Sequence, residues 1–238
     1  PPPRVGQPRR STLSLWFLDD GLIFGPPDKV NKAWKTICTE SAKVGLRINT
    51  TKCELWNARD RRLLPDIPAE VPGCDPEGFE LLGVGIGSAN FCEKTMIKRV
   101  RKIEEALAKL SIVDDPQIEL ALLRCCLWFP RIAFAIRSTP PSLIRRATEE
   151  FDRIIKTVSE ERFDIAFTEL QKKQWQLPVR MGGMGISKAT DTAPAAYLGN
   201  LIDCTEKIQA IMGGDDQRMG LLDVGIADFR LFSSLISR

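Results

Sequence analysis

Asp19 and Asp20 stand side by side between two apolar runs, in the stretch S-T-L-S-L-W-F-L-D-D-G-L-I-F-G at residues 11–25. Neighbouring like charges disfavour one another unless solvent or a cation offsets them, so the pair asks for exposure or a ligand. The chain contains no histidine. That removes Ser-His and Cys-His nucleophilic pairs, H-E-x-x-H metalloprotease chemistry and most catalytic zinc sites. Acid, base and metal work is left to Asp, Glu and Lys. Two further groups of side chains are candidates. Lys52 follows a slip in strand parity at Thr50-Thr51, where a turn or bulge would project it. Lys94, Lys98, Arg101 and Lys102 line one side of a predicted helix, which suits a helix that tracks a nucleic-acid backbone. Plain readings stand beside each of these. An isolated Asp-Asp-Gly turn is usually a solvated loop, a lone lysine is usually a surface lysine, and Glu104 and Glu105 interrupt the basic face.

The elements that must position these residues follow from periodicity. Leu13, Leu15 and Phe17 alternate with Ser14 and Trp16, Leu22–Phe24 is a second short apolar run, and Asp20-Gly21 is a tight-turn signal between them. A β-hairpin with the carboxylates at its tip is the expectation. After Pro26-Pro27, Asp28 reads as the cap of a helix carrying Val30, Trp34, Ile37, Ser41 and Val44 and stopped by Gly45. Residues 46–49 and 53–56 read as strands, and residues 57–78, rich in proline and charge, as an excursion. The run F-E-L-L-G-V-G-I-G-S reads as a Gly-punctuated hairpin; Gly83, Gly85 and Gly87 also suggest a phosphate loop, but no G-K-[ST] follows.

From about residue 93 the pattern is helical. One stripe is Met96, Val100, Ile103, Leu107 and Leu110. A second starts at Asp115-Pro116 with Ile118, Leu122, Cys125, Phe129, Ile132 and Ile136, kinked at Pro130. A third carries Ile144, Ala147, Phe151, Ile154 and Val158. The link R-M-G-G-M-G-I leads to one or two more helices from about 190. The fold class is therefore α+β, with residues 1–92 mixed and residues 93–238 all-α.

At 238 residues with 43% apolar content the chain buries a real core. No apolar run is long enough for a membrane span or a signal peptide, so the expectation is a protein with no membrane partner, intracellular, cytoplasmic or nuclear. Seven cysteines with no C-x-x-C spacing argue for reduced thiols and against a disulfide framework or a structural zinc site. The net charge of +3 does not declare a nucleic-acid partner, but residues 43–62 hold six Lys or Arg against two acids, a local basic patch.

The order of parts resembles the palm of a reverse transcriptase. F-L-D-D-G looks like the family's Y-x-D-D turn, with Phe17 where tyrosine is usual. G-L-R-I-N-T-T-K-C-E looks like the next motif, with Lys52 at its lysine, and L-L-G-V-G-I-G resembles the hairpin called the primer grip. D-D-P-Q-I-E-L-A-L-L-R-C-C and L-P-V-R-M-G-G-M-G-I look like segments downstream of the palm in polymerases of non-LTR retrotransposons. The resemblance covers most of residues 12–200. It implies a partial polymerase palm, a short antiparallel sheet with a packed helix, over 1–92, followed by an all-α thumb-like region over 93–238.

The implied function is RNA-directed DNA polymerisation by two-metal nucleotidyl transfer. Asp19 and Asp20 would be ligands for Mg²⁺ or Mn²⁺, with two ions only in a complete polymerase, and Lys52 would lie near the leaving phosphates. Lys98, Arg101 and Lys102 would hold nucleic acid; the implied partners are an RNA template, a DNA primer and deoxynucleoside triphosphates. Only 18 residues precede Asp19, whereas the family's fingers and first catalytic aspartate lie upstream of this turn. The expectation is a fragment inactive alone. The alternative is a non-catalytic nucleic-acid-binding or structural relic of a retroelement.

Overall fold

A computed structural model of the chain describes residues 13–17, 19–56 and 61–212. Among these residues it is of mixed α and β composition, with two separate two-stranded antiparallel sheets and seven α-helices. The chain divides into two compact units, Pro1–Pro76 and Glu77–Arg238.

In the first unit β1 (Leu13–Phe17) and β2 (Asp20–Phe24) pair with Phe17 opposite Asp20. The connection is thus residue 18, outside the described residues, and Asp19, not the expected Asp20-Gly21. Gly21 lies within β2 opposite Trp16. Its missing side chain makes room, since a Cβ there would come within 2.5 Å of the Trp16 ring. Alternation puts Ser14 and Trp16 on one face, where the indole Nε1 donates to Ser14 Oγ at 2.9 Å.

Helix α1 (Pro27–Lys43) opens with proline at its first position, where a missing N–H leaves nothing unsatisfied. Pro26 occupies the cap position expected for Asp28, which sits instead inside the first turn, on the favourable end of the helix dipole. Gly45, at φ 79°, ends the helix as expected, and the N–H of Leu46 reaches back to the Ser41 carbonyl at 2.9 Å.

The strands expected at 46–49 and 53–56 do not form. A strand needs a neighbour for its backbone groups, and among these described residues only Leu55 finds one, in an isolated parallel bridge to Gly73. Between the two segments Thr50–Lys52 makes a 3-10 turn, so the parity slip does mark a turn. Asn49 Oδ1 holds it, accepting from the Thr51 N–H at 3.1 Å and the Thr51 hydroxyl at 2.7 Å. The proline-rich excursion does more than connect. Its Leu64, Ile67 and Val71 are the buried core of this unit, covered by Val30, Trp34, Cys53 and Leu55.

The second unit begins with the hairpin β3 (Gly78–Leu81) and β4 (Val84–Gly87). Leu82 and Gly83 at its tip have φ of 50° and 79°, the mirror-image turn that matches strand twist. Helix α2 (Ala89–Leu107) follows at once, with Ser88 Oγ accepting from the Phe91 N–H at 3.1 Å. Strand β4 lies against it: a Cβ on Gly85 would stand 3.0 Å from Thr95. The compact helical unit therefore starts at Glu77, ahead of the change in composition at residue 93, because the hairpin packs with the helices.

Met96, Val100, Ile103 and Leu107 are buried along α2 as their spacing predicts, and Leu110 continues the stripe. The second stripe departs from expectation. Asp115 caps α3 (Pro116–Leu122), its Oδ1 accepting from the N–H groups of Gln117 and Ile118. The chain then runs through a π-turn at Leu123–Leu127 and breaks at Trp128 before α4 (Phe129–Ser138). A π-turn holds an extra residue, which rotates the buried face. Ile118 and Cys125 are exposed, and Glu119 and Leu123 are buried instead. Pro130 lies in the first turn of α4, so it starts a helix where a kink was expected.

Helix α5 (Arg145–Phe163) buries Ala147, Phe151 and Ile154 as expected and ends at Asp164 in the left-handed region. Helix α6 (Glu169–Gln176), not anticipated, opens with a reciprocal cap between Thr168 and Gln171. The link after it is a packed turn: a Cβ on Gly183 would meet the Leu177 carbonyl oxygen at 2.1 Å, backbone that cannot swing aside. Helix α7 (Ala189–Met212) is capped from a distance by Asp152 of α5, whose carboxylate accepts from the N–H groups of Ala189 at 2.6 Å and Thr190 at 3.1 Å. No helix among the described residues is long and apolar enough to cross a membrane.

Glu119 is 1% exposed, and Arg162 of α5 grips its carboxylate with both arms, Nε to Oε2 at 2.7 Å and Nη2 to Oε1 at 2.5 Å. Those charged hydrogen bonds hold the Glu119 carboxyl below its ordinary value, against the opposing effect of burial. Arg162→Met should lower Tm at neutral pH by on the order of 10 °C, followed by circular dichroism, because it strands a buried anion. A depressed folded-state pKa stabilises above the unfolded value and stops doing so as pH falls through the folded one. The gap between wild type and Arg162→Met should therefore close below about pH 4.

Candidate functional site

Asp19 occupies the turn of the β1–β2 hairpin and Asp20 the first position of β2, and both are open to solvent. The hairpin thus removes the conflict between burial and charge that the apolar flanks posed. Lys52 ends the Asn49-capped turn in the same unit, also exposed. Elsewhere in the unit Lys43 Nζ lies 2.8 Å from Glu40 Oε1, one turn back on α1. That pairing withdraws Lys43 from the basic patch. Arg47 remains exposed, while Arg59 and the side chain of Arg61 lie outside the described residues. Two adjacent carboxylates are hard oxygen donors of the kind divalent cations take. Among the described residues no three acidic or sulfur side chains gather into a fuller ligand set.

Of the basic residues expected on α2, Lys98 and Lys102, one turn apart, line the same pocket. Arg101 lies apart from it, its charge acting on Glu150 of α5. Lys94 approaches Glu77 at 3.9 Å. The pocket, about 200 Å³, is bounded further by Glu80 and Gly83 of the hairpin, Arg99 of α2 and Arg131 of α4. Arg99 fixes its shape: Nη2 donates to the Gly83 carbonyl at 2.6 Å and Nη1 to the Arg131 carbonyl at 3.4 Å. Arg131 Nε donates to the Cys126 carbonyl at 3.2 Å across the break at Trp128.

Sequence reading missed Arg99 and Arg131. For Arg99 a signal exists, because it stands three residues after Met96 and four before Ile103, on the buried stripe. A guanidinium there must find partners on a neighbouring element. Arg131 has no such signal, since its position depends on the chain break at Trp128. The glycines at 83, 85 and 87 belong to the hairpin. All seven cysteines are free thiols, and burial pushes those of Cys53 and Cys92 up. Cys74 is pushed up to about 11 by burial, with the Glu54 carboxylate adding to it. Raised thiols are poor nucleophiles at neutral pH.

Comparison with protein-family models, with curated proteins and with solved structures returns no match for the chain.

In the hairpin that presents the carboxylates, Gly21 leaves room for the Trp16 ring. Gly21→Ala should drive the half-exposed Trp16 ring off the strand at a cost of about 0.5 kcal/mol, read as a red shift in indole fluorescence and faster amide exchange across β1 and β2. The cost should vanish in the Trp16→Ala background; a penalty that persists there would show that the ring is not the constraint.

Proposed function

We propose that the chain is the palm and thumb portion of an RNA-directed DNA polymerase of the reverse transcriptase type. The observation that carries this reading is the exposed Asp19-Asp20 pair where the hairpin enters β2, with the Lys52 turn in the same unit. Mg²⁺ or Mn²⁺, when bound, supplies the positive charge that activates a primer hydroxyl and stabilises a leaving pyrophosphate. The chain's own residues have separate tasks. Asp19 and Asp20 would offer oxygen ligands to the cation, and its charge would relieve their mutual repulsion. Lys52 offers a mobile ammonium to the phosphates of an incoming deoxynucleoside triphosphate. The exposed cations of α2 offer phosphate contacts to an RNA–DNA duplex, without sequence preference.

Two carboxylates make a partial ligand set, so the cation affinity of this chain should be no better than millimolar order. Mn²⁺ titration followed by amide line broadening should bleach signals around residues 19–21 first, and Asp19→Asn should abolish that selectivity. Micromolar affinity lost in Asp19→Asn would overturn the partial-set argument, and no selective broadening at any concentration would overturn the metal role itself.

Binding of a labelled RNA–DNA hybrid, measured by polarisation from about 50 to 200 mM salt, should fall steeply as counterion release predicts. The joint replacement of Lys98, Arg101 and Lys102 with alanine should weaken it and flatten the salt slope. A hybrid that binds no better than to a neutral control protein would favour the reading as a structural relic.

A further inference from the structure

We infer that the pocket between the β3–β4 hairpin, α2 and α4 is a seat for one phosphate group, with Lys98, Lys102 and Arg131 as its donors and Arg99 as the residue that positions its walls. The nucleic-acid source of that phosphate rests on the function proposed above; the pocket does not.

Charge is the first ground. Five cations elsewhere in this unit sit against acids: Arg145 on Glu149, Arg153 on Glu150, Lys156 on Glu160, Arg162 on Glu119 and Lys172 on Glu169; what sets the pocket apart is that several cations converge on one concave site. Lys98, Lys102 and Arg131 carry no ion pair among the described residues, although Glu80 lines the same pocket. Three cations and the spent Arg99 against one carboxylate leave a concentrated positive field in a concave site, where a dianion or diester gains most.

Construction is the second ground. The two contacts of Arg99 join the hairpin tip to α4, so the donors come from elements held in register with one another. Arg131 commits only its Nε, to the Cys126 carbonyl. Its two terminal nitrogens are left for the bidentate contact that phosphate oxygens favour. Gly83 suits both demands: its φ of 79° strains any other residue, and a Cβ there would stand 2.5 Å from the Arg99 nitrogen and push that contact aside.

Size is the third. A pocket of about 200 Å³ falls below the roughly 300–1,000 Å³ of sites that engulf drug-sized ligands. It admits a phosphate and the atoms esterified to it, and leaves a base outside. One backbone phosphate, or a free phosphate ion, is therefore the ligand class.

The test uses the whole chain with two probes. Titration with inorganic phosphate, followed by amide and arginine Nε signals, should shift Gly83, Thr95 and Arg131 first. Arg131→Ala should remove those shifts, while Lys173→Ala, an equal loss of charge outside the pocket, should leave them. With the RNA–DNA hybrid, Arg131→Ala should weaken binding about 3- to 10-fold and reduce the salt slope by about one, as loss of one phosphate contact does. Arg131→Lys should restore part of it. Phosphate shifts with no hybrid binding would keep the seat and overturn its nucleic-acid source. Hybrid binding equal in Arg131→Ala and Lys173→Ala, with phosphate shifts absent or elsewhere, would overturn the seat. Arg99→Met should loosen the Gly83 turn, seen as faster amide exchange there, and weaken phosphate without removing a donor; unchanged phosphate binding in that variant would overturn the positioning role.

Discussion

A carboxylate sealed inside a helical core dictates much of the second unit. Glu119 cannot be left unpaired there, since an isolated buried charge costs far more than a typical contact returns. Its partner comes from 43 residues away in sequence, so α3 and α5 are joined at a fixed rotation. Between those two helices the chain leaves α3 through the π-turn at Leu123–Leu127 and restarts at Phe129. The restart in turn sets where Arg131 falls, and with it the basic pocket. A buried ion pair thereby ties together two helices that an all-apolar contact would leave freer to rotate.

The stripes on α2 and α5 were legible because each is a continuous helix whose buried face repeats every three or four residues without interruption. Met96, Val100 and Ile103, or Ala147, Phe151 and Ile154, need no knowledge of a partner to be recognised. Ile118 and Cys125 were misread because periodicity assumes a constant turn, and the π-turn breaks that assumption. The strands at 46–49 and 53–56 failed for a related reason. Their apolar residues fit a pleat, but pairing is a property of two segments, and only Leu55 finds a neighbour.

The candidate site divides along the same line. Exposure of Asp19 and Asp20 followed from charge and alternation alone, whereas the exact turn did not, because Asp20-Gly21 is the stronger turn dipeptide and Gly21 is used here against the Trp16 ring. Lys52 projects as read, from a turn that Asn49 holds. Lys98 and Lys102 share a pocket and Arg101 does not, a distinction no helical wheel makes without the neighbouring helices. What each residue does locally was readable; which elements it meets was not.

The cap that Asp152 places on α7 reaches across 37 residues of sequence. The instruction to begin that helix is consequently stored in another helix, and α7 inherits its start from a tertiary contact. A peptide spanning residues 185–212 would carry the helix without the signal that opens it. On a growing chain Asp152 is made before Ala189, so the acceptor that opens α7 precedes the N–H groups it satisfies.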